Sequence, residues 1–284
     1  MITGQCLCGT VRYEVDGPLT LMMNCHCSMC RKRHGAAFST FAMAPIAGFR
    51  WVSGEDSIAK YTTPAGGAQF CRVCGSITPM LMQDMGSVVC PAGNLDGELG
   101  IKPQAHIFAG SKAPWYEITD SLAQHEEYPP EFGMSGVDRP TVEPKPGVIQ
   151  GSCLCGEVAF EIEGTPERLM YCHCSRCRRA RSAAHGANLF FKSEQFRWVR
   201  GESLVKTFKD PGARFFTVAF CEQCGAGAPR INPEFKTAYV PAGALDTDPG
   251  IKPLARIFVA SKASWVDITD SVPQFAEMPP RPAG

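Results

Sequence analysis

The 284-residue chain has no surplus of charge: 28 lysines and arginines face 28 aspartates and glutamates, giving a formal net charge of zero. No global field gathers nucleic acid or an anionic membrane around such a chain, and a nucleic-acid partner is not expected. A long apolar run is also missing. The most apolar stretch, AAFSTFAMAPIAGF, is interrupted by Pro45 and Gly48, far short of the roughly 20 apolar residues a membrane helix needs. The first cysteine pair, CLC at 6–8, leaves no room for the apolar core of a secretory leader. A cytoplasmic protein without membrane association is the expectation. Helical periodicity is scarce too, with only a hint of a turn or two following Cys30 and Cys177.

Cysteine, by contrast, is plentiful, with 15 in the chain. NCHCSMCRK at 24–32 holds Cys25, Cys27 and Cys30 within six positions, and YCHCSRCRR at 171–179 repeats the phrase. Such density raises three readings: a metal site, a disulfide framework or a reactive thiol. Cytoplasmic thiols stay reduced, which moves the reading away from disulfides and toward metal.

The repetition extends well beyond that phrase. GQCLCGTVRYEVDG at 4–17 matches GSCLCGEVAFEIEG at 151–164 with an offset of 147, which becomes 150 after about residue 61 through three extra residues in the second copy. From Gly93 to Gln124 and from Gly243 to Gln274, 19 of 32 positions are identical, too many for chance. The chain is a tandem duplication. Between the copies, EEYPPEFGMSGVDRPTVEPKPG carries five prolines and no hydrophobic periodicity, which reads as an extended linker. The expected domains are 1–125 and 148–284, joined by a linker over 126–147. They would either stand as independent units or pack as a pseudo-dimer within one chain.

Within a copy the signals are β. Val11, Tyr13 and Val15 alternate with polar residues, as do Val158, Phe160 and Ile162. Glycines and prolines separate short apolar runs, the pattern of a mainly β sandwich or folded sheet. Each copy carries the same seven cysteines. An odd number leaves one thiol over in any closed disulfide set, whereas four plus three suits zinc: a closed Cys₄ site and a three-ligand site with one open position. CRVCG and CEQCG are C-x-x-C-G knuckles in which Gly75 and Gly225 allow the turn. They join the CLCG pair in the closed set, and the C-x-C-x-x-C trio forms the open one. His26 and His173 lie between ligands and are expected to point away from the metal. Cys90 aligns with Val240 and reads as a small buried residue. Lys112 and Lys262 read as solvated, Trp115 and Trp265 as core.

The pattern C-x-C-G, C-H-C-x-x-C-R, C-x-x-C-G, followed by HIF-x-x-S-K-x-x-W, resembles the glutathione-dependent formaldehyde-activating enzyme family, which also includes centromere protein V. The resemblance implies a mainly β fold of two tandem β-tent domains, folded antiparallel sheets around zinc. It implies structural zinc at Cys6, Cys8, Cys71 and Cys74, and at Cys153, Cys155, Cys221 and Cys224. It implies catalytic zinc at Cys25, Cys27 and Cys30, and at Cys172, Cys174 and Cys177. Two zinc ions per domain, four per chain, follow.

Three thiolates blunt the Lewis acidity of zinc but leave it able to take a soft fourth ligand, a thiol. The expected partners are therefore a small thiol such as glutathione and an aldehyde, and the expected activity is that of a carbon–sulfur lyase. Arg31 and Lys32, with Arg178 and Arg179 in the second copy, follow the third cysteine. They are candidates either for holding the thiol's carboxylates or for offsetting the charge of the zinc site. A non-enzymatic zinc module that binds a protein, and an enzyme acting on a different thiol adduct, are the alternatives.

Overall fold

The computed structural model describes residues 1–63, 66–133, 136 and 142–280. Among them the chain is mainly β, with many small sheets and two short α-helices. In the first half β1 (Ile2–Gln5) and β2 (Arg12–Val15) pair antiparallel. β3 (Leu21–Cys25) runs into α1 (Ser28–His34), and β4 (Ser39–Pro45) returns antiparallel to β3. β5 (Phe49–Ser53) joins β2 to complete a three-stranded sheet. β6 (Ile58–Thr63) and β7 (Gly66–Cys71) form a separate hairpin. β8 (Met80–Met82), β9 (Ser87–Pro91), β10 (Ala105–Ile107) and β11 (Ala123–Gln124) complete a six-stranded sheet, ordered β11-β10-β3-β4-β9-β8.

The second half repeats this plan. β12 (Val148–Ser152), β13 (Ala159–Glu163), β14 (Arg168–Cys172), α2 (Ser175–Arg181), β15 (Gly186–Lys192) and β16 (Phe196–Arg200) follow in order. β17 (Val205–Lys209), β18 (Thr217–Cys221), β19 (Arg230–Asn232), β20 (Thr237–Pro241) and β21 (Ala255–Ile257) complete it. The sheets are β12-β13-β16, β19-β20-β15-β14-β21 and the hairpin β17-β18.

The alternation read in the sequence is what the sheets use: Val11, Tyr13 and Val15 are buried while Arg12 between them is exposed. Cys90 is fully buried opposite Ala42, and Trp115 and Trp265 lie in the core. The helices differ slightly from the expectation, since each contains its third cysteine instead of following it. The Cys27 sulfur accepts the Cys30 N–H at the N-cap, and Cys174 does the same for Cys177. A side-chain acceptor at this position starts the helix three residues earlier.

The 126–147 segment also departs from the expectation at its beginning. Backbone N–H groups of Phe108 and Ala109 donate to the carbonyls of Glu127 and His125, and Tyr128 packs against Phe108 with ring centroids 4.9 Å apart. Pro130–Phe132 then form a 3₁₀ turn. Residues 134, 135 and 137–141 of the expected linker lie outside the described residues.

The halves contact one another reciprocally. α1 packs on the turn Ala242–Ala244 and α2 on Ala92–Asn94. These approaches need glycine: a Cβ at Gly243 would lie 2.3 Å from the Arg31 carbonyl oxygen, and one at Gly93 2.3 Å from the Ala183 nitrogen. His34 Nδ1 donates to the Arg181 carbonyl at 2.7 Å, and the Thr119 and Thr269 hydroxyls meet at 2.6 Å. In both pairs the partners are one repeat offset apart. Lys102 pairs with Asp267 at 2.8 Å and its counterpart Lys252 with Glu117 at 3.7 Å. One buried apolar cluster runs through both halves, from Tyr13, Met22 and Trp115 to Phe160, Leu189 and Trp265.

Candidate metal centres

Four sets of sulfurs converge, each with its ligand atoms within 4.8 Å of one another: Cys6, Cys8, Cys71 and Cys74; Cys153, Cys155, Cys221 and Cys224; Cys25, Cys27 and Cys30; Cys172, Cys174 and Cys177. In the quartets, the turn between β1 and β2 folds back through Cys6 N–H to the Val11 carbonyl, aiming Cys6 and Cys8 at the end of β7. Cys71 closes that strand. Gly75, at φ 74°, donates to the Cys71 carbonyl and brings Cys74 round to the same point. Those knuckle glycines also face the other half, for a Cβ on Gly75 would lie 2.4 Å from Phe220 and one on Gly225 2.3 Å from Phe70.

In each trio the three sulfurs come from a strand end, a helix N-cap and the first helical turn. The spacing C-x-C-x-x-C is what makes these three positions meet. Sulfur separations are 3.6 Å for Cys25–Cys27, 3.5 Å for Cys172–Cys174, 3.4 Å for Cys6–Cys8 and 3.8 Å for Cys155–Cys221. A tetrahedral zinc with bonds of about 2.3 Å sets its sulfurs about 3.8 Å apart, so the donor sets fit such an ion. Backbone N–H groups of Val11 and Val158 approach Cys6 and Cys153 at 3.3 Å, the kind of outer contact that supports a thiolate ligand. Contact between thiols splits their proton affinities: Cys172 is raised to about 12 by Cys174, while Cys174 is lowered to about 3 by Cys172.

Neither ring nitrogen of His26 or His173 joins a sulfur set. His26 Nε2 lies 2.7 Å from His106 Nδ1, and His106 Nε2 lies 3.0 Å from Asp120. In the second half His173 Nε2 is 3.1 Å from Arg256, which pairs with Asp270. Burial lowers both His26 and His173 to about 3, so they are neutral imidazoles at pH 7.

Each quartet holds three buried cysteines and one half-buried one, Cys8 or Cys155. Cys30 lines a cavity of about 70 Å³ and Cys177 one of about 170 Å³, and the quartet sulfurs line neither. The basic residues expected beside these sites do not line them either. Arg31 Nε donates to the His26 carbonyl. Lys32 is buried and reaches across to Asp246 at 2.6 Å. Arg179 makes the reciprocal pair with Asp96, and the Nε of Arg178 is buried without a hydrogen-bond partner. Helix geometry is the reason. One and two residues after the cysteine, a helix has turned by about 100° and 200°, whereas positions three and four share its face. The cavity residues are accordingly Arg33 and His34 in the first half and Arg181 in the second. Asp96 and Asp246 escaped notice as partners, although they recur in the strongly matched stretch; nothing in the sequence links them to the basic residue of the opposite copy.

Two closed cysteine quartets and two open trios, set on small, mostly antiparallel sheets in which β3 and β14 each also take a parallel partner, define a duplicated β protein with four candidate metal sites. The chain belongs to the glutathione-dependent formaldehyde-activating enzyme family, whose model matches residues 1–111 and 148–261. A Halomonas elongata protein named "Putative glutathione-dependent formaldehyde-activating enzyme" is 29% identical over 127 residues, covering 42% of this chain and 81% of that protein. A crystal structure of a Rhodobacter sphaeroides protein shares 29% identity, covering 34% of this chain and 89% of that one, with a TM-score of 0.29. No helix among the described residues is long and apolar enough to cross a membrane.

Proposed function

We propose that the chain is a zinc-dependent carbon–sulfur lyase that joins glutathione, or a related thiol, to formaldehyde and catalyses the reverse cleavage. The observation that carries this reading is the cavity beside the third sulfur of each trio, at Cys30 and at Cys177, next to a three-sulfur set that leaves a zinc ion one open position. Cys25, Cys27 and Cys30, with Cys172, Cys174 and Cys177, are the residues assigned to the reactive sites, and the quartets are assigned to structural zinc. When bound by three thiolates, zinc offers one remaining position to a thiol and lowers its pKa. The protein's own contribution is to fix three sulfurs by strand end and helix cap, and to hold a small cavity beside the third. In the addition direction a carbon–sulfur bond forms at the aldehyde carbon, and the proton lost by the thiol ends on the carbonyl oxygen.

Elemental analysis of protein purified under reducing conditions is expected to give about four zinc ions per chain. The same preparation should accelerate exchange between free glutathione, formaldehyde and S-hydroxymethylglutathione, followed by NMR, above the spontaneous rate. Two ions per chain would leave only the quartets filled. Four ions with no acceleration would sink the lyase reading and favour an interaction module.

A further inference from the structure

Because the halves are copies, comparing their cavities position by position isolates what each has changed. His34 is replaced by Arg181, Phe41 by Asn188 and Met80 by Arg230, and the volume rises from about 70 Å³ to about 170 Å³. Two guanidiniums therefore face the cavity at Cys177 where the first half has an imidazole and a thioether at the same positions, its one guanidinium being Arg33, which Ala180 replaces in the second half. Among the described residues neither Arg181 nor Arg230 pairs with a carboxylate.

Neighbouring residues are adapted to this exchange. Gly227 stands where the first half has Ile77, and even a Cβ there would lie 2.2 Å from the terminal nitrogen of Arg181. An isoleucine would displace the guanidinium. Arg230 lies over the Tyr239 ring, 4.5 Å from its centroid, which presets the plane of its fork. The three extra residues of the second copy fall in the segment that follows β17. Arg176, where the first copy has Met29, ties that segment to α2 through Asp210 at 2.6 Å and the Gly212 carbonyl at 2.8 Å. Phe215 and Phe216 thereby become part of the cavity wall.

Offsetting the anionic cysteine trio accounts for one of these charges. Arg181 is close enough to Cys177 for that sulfur to act on it, but no such influence from the trio reaches Arg230. A planar guanidinium left without a carboxylate at a cavity wall matches the carboxylate of an incoming molecule. Resting on the thiol reading above, we infer that the Cys177 cavity is a carboxylate-accepting subsite in which Arg230 and Arg181 select an anionic thiol over an uncharged one, and that the Cys30 cavity, with Arg33 as its one guanidinium, selects less strongly. The two halves then differ in how strongly they favour an anionic thiol.

Calorimetric titration of the full-length, metal-loaded protein with glutathione and with 2-mercaptoethanol tests this. Arg230→Met, which installs the first half's residue, should weaken glutathione binding at one of the two sites roughly 10- to 100-fold, the worth of one charge-assisted hydrogen bond. Affinity for 2-mercaptoethanol, which has no carboxylate, should stay unchanged. Arg181→Lys should keep more of the glutathione affinity than Arg181→His, which guards against a loss that comes only from misfolding. Unchanged glutathione affinity in Arg230→Met, or an equal loss for both thiols, overturns the inference and leaves the lyase reading standing. Wild-type protein that binds neither thiol overturns both.

Discussion

Replacing Cys71 with serine is expected to lower the melting temperature by about 10 °C or more and to remove one metal ion per chain, whereas Cys27→Ser removes an ion with little change in melting. The two cysteines look alike in the sequence, each being one member of a metal-ligand motif. Their positions differ. Cys71 is fully buried at the end of β7 and joins that hairpin to the β1–β2 turn more than sixty residues away. A metal bound there links segments far apart in the chain, so its binding free energy is folding free energy, of order 10 kcal/mol for a structural zinc. That is comparable with the whole stability of an ordinary domain, about 5 to 15 kcal/mol.

Cys27 joins only positions already close in the chain, and its second role is to cap α1 by accepting the Cys30 N–H at 3.4 Å. A serine hydroxyl caps at least as well. The fold should therefore lose about 1 kcal/mol or less, while thiol exchange at that half should vanish. Differential scanning calorimetry with metal analysis of both variants separates the roles. Equal collapse of the two proteins would end the division into structural and reactive sites.

Much of the candidate chemistry was legible from spacing because it is local. Cys25, Cys27 and Cys30 meet for reasons contained in six residues, and the knuckles at Cys71 and Cys221 are equally short. Joining each knuckle to its CLCG pair is a long-range event, and its legibility came from the family resemblance and the arithmetic of four plus three. What stayed hidden is the surface each copy offers its twin. An offset of 147 or 150 says that the copies are alike, not that Gly225 receives Phe70 or that Gly75 receives Phe220. Such complementarity is a property of two folded surfaces and has no period in the chain. Arg31, Lys32, Arg178 and Arg179 are neighbours of the cysteines in sequence. On a helix the residues three and four positions on are the neighbours in space.

Lys32→Met is expected to cost about 3 to 5 kcal/mol of stability. The Lys32 ammonium is almost wholly withdrawn from water, with a side-chain exposure of 4%, and Asp246 retains 11%. Lys32 donates to the Ser152 carbonyl at 2.8 Å, to the Ser152 hydroxyl at 3.1 Å and to the Ala244 carbonyl at 3.2 Å, beside the ion pair with Asp246 at 2.6 Å. Three protons are thus spread over four acceptors, all on the second half. A methionine fills much of the volume but leaves Asp246 charged and largely withdrawn from water, with the Ser152 hydroxyl at 2.7 Å to support it. The reciprocal pair, Arg179 with Asp96, is more open, at 26% and 37% exposure. Water and salt screen it, and Arg179→Met should cost about 1 kcal/mol or less. Urea unfolding of both variants at pH 7, with metal saturated throughout, compares them directly. Adding Asp246→Asn to Lys32→Met should restore part of the loss, because the cost lies in the uncompensated carboxylate more than in the missing contact. Equal losses for Lys32→Met and Arg179→Met would mean that burial does not set the strength of these pairs.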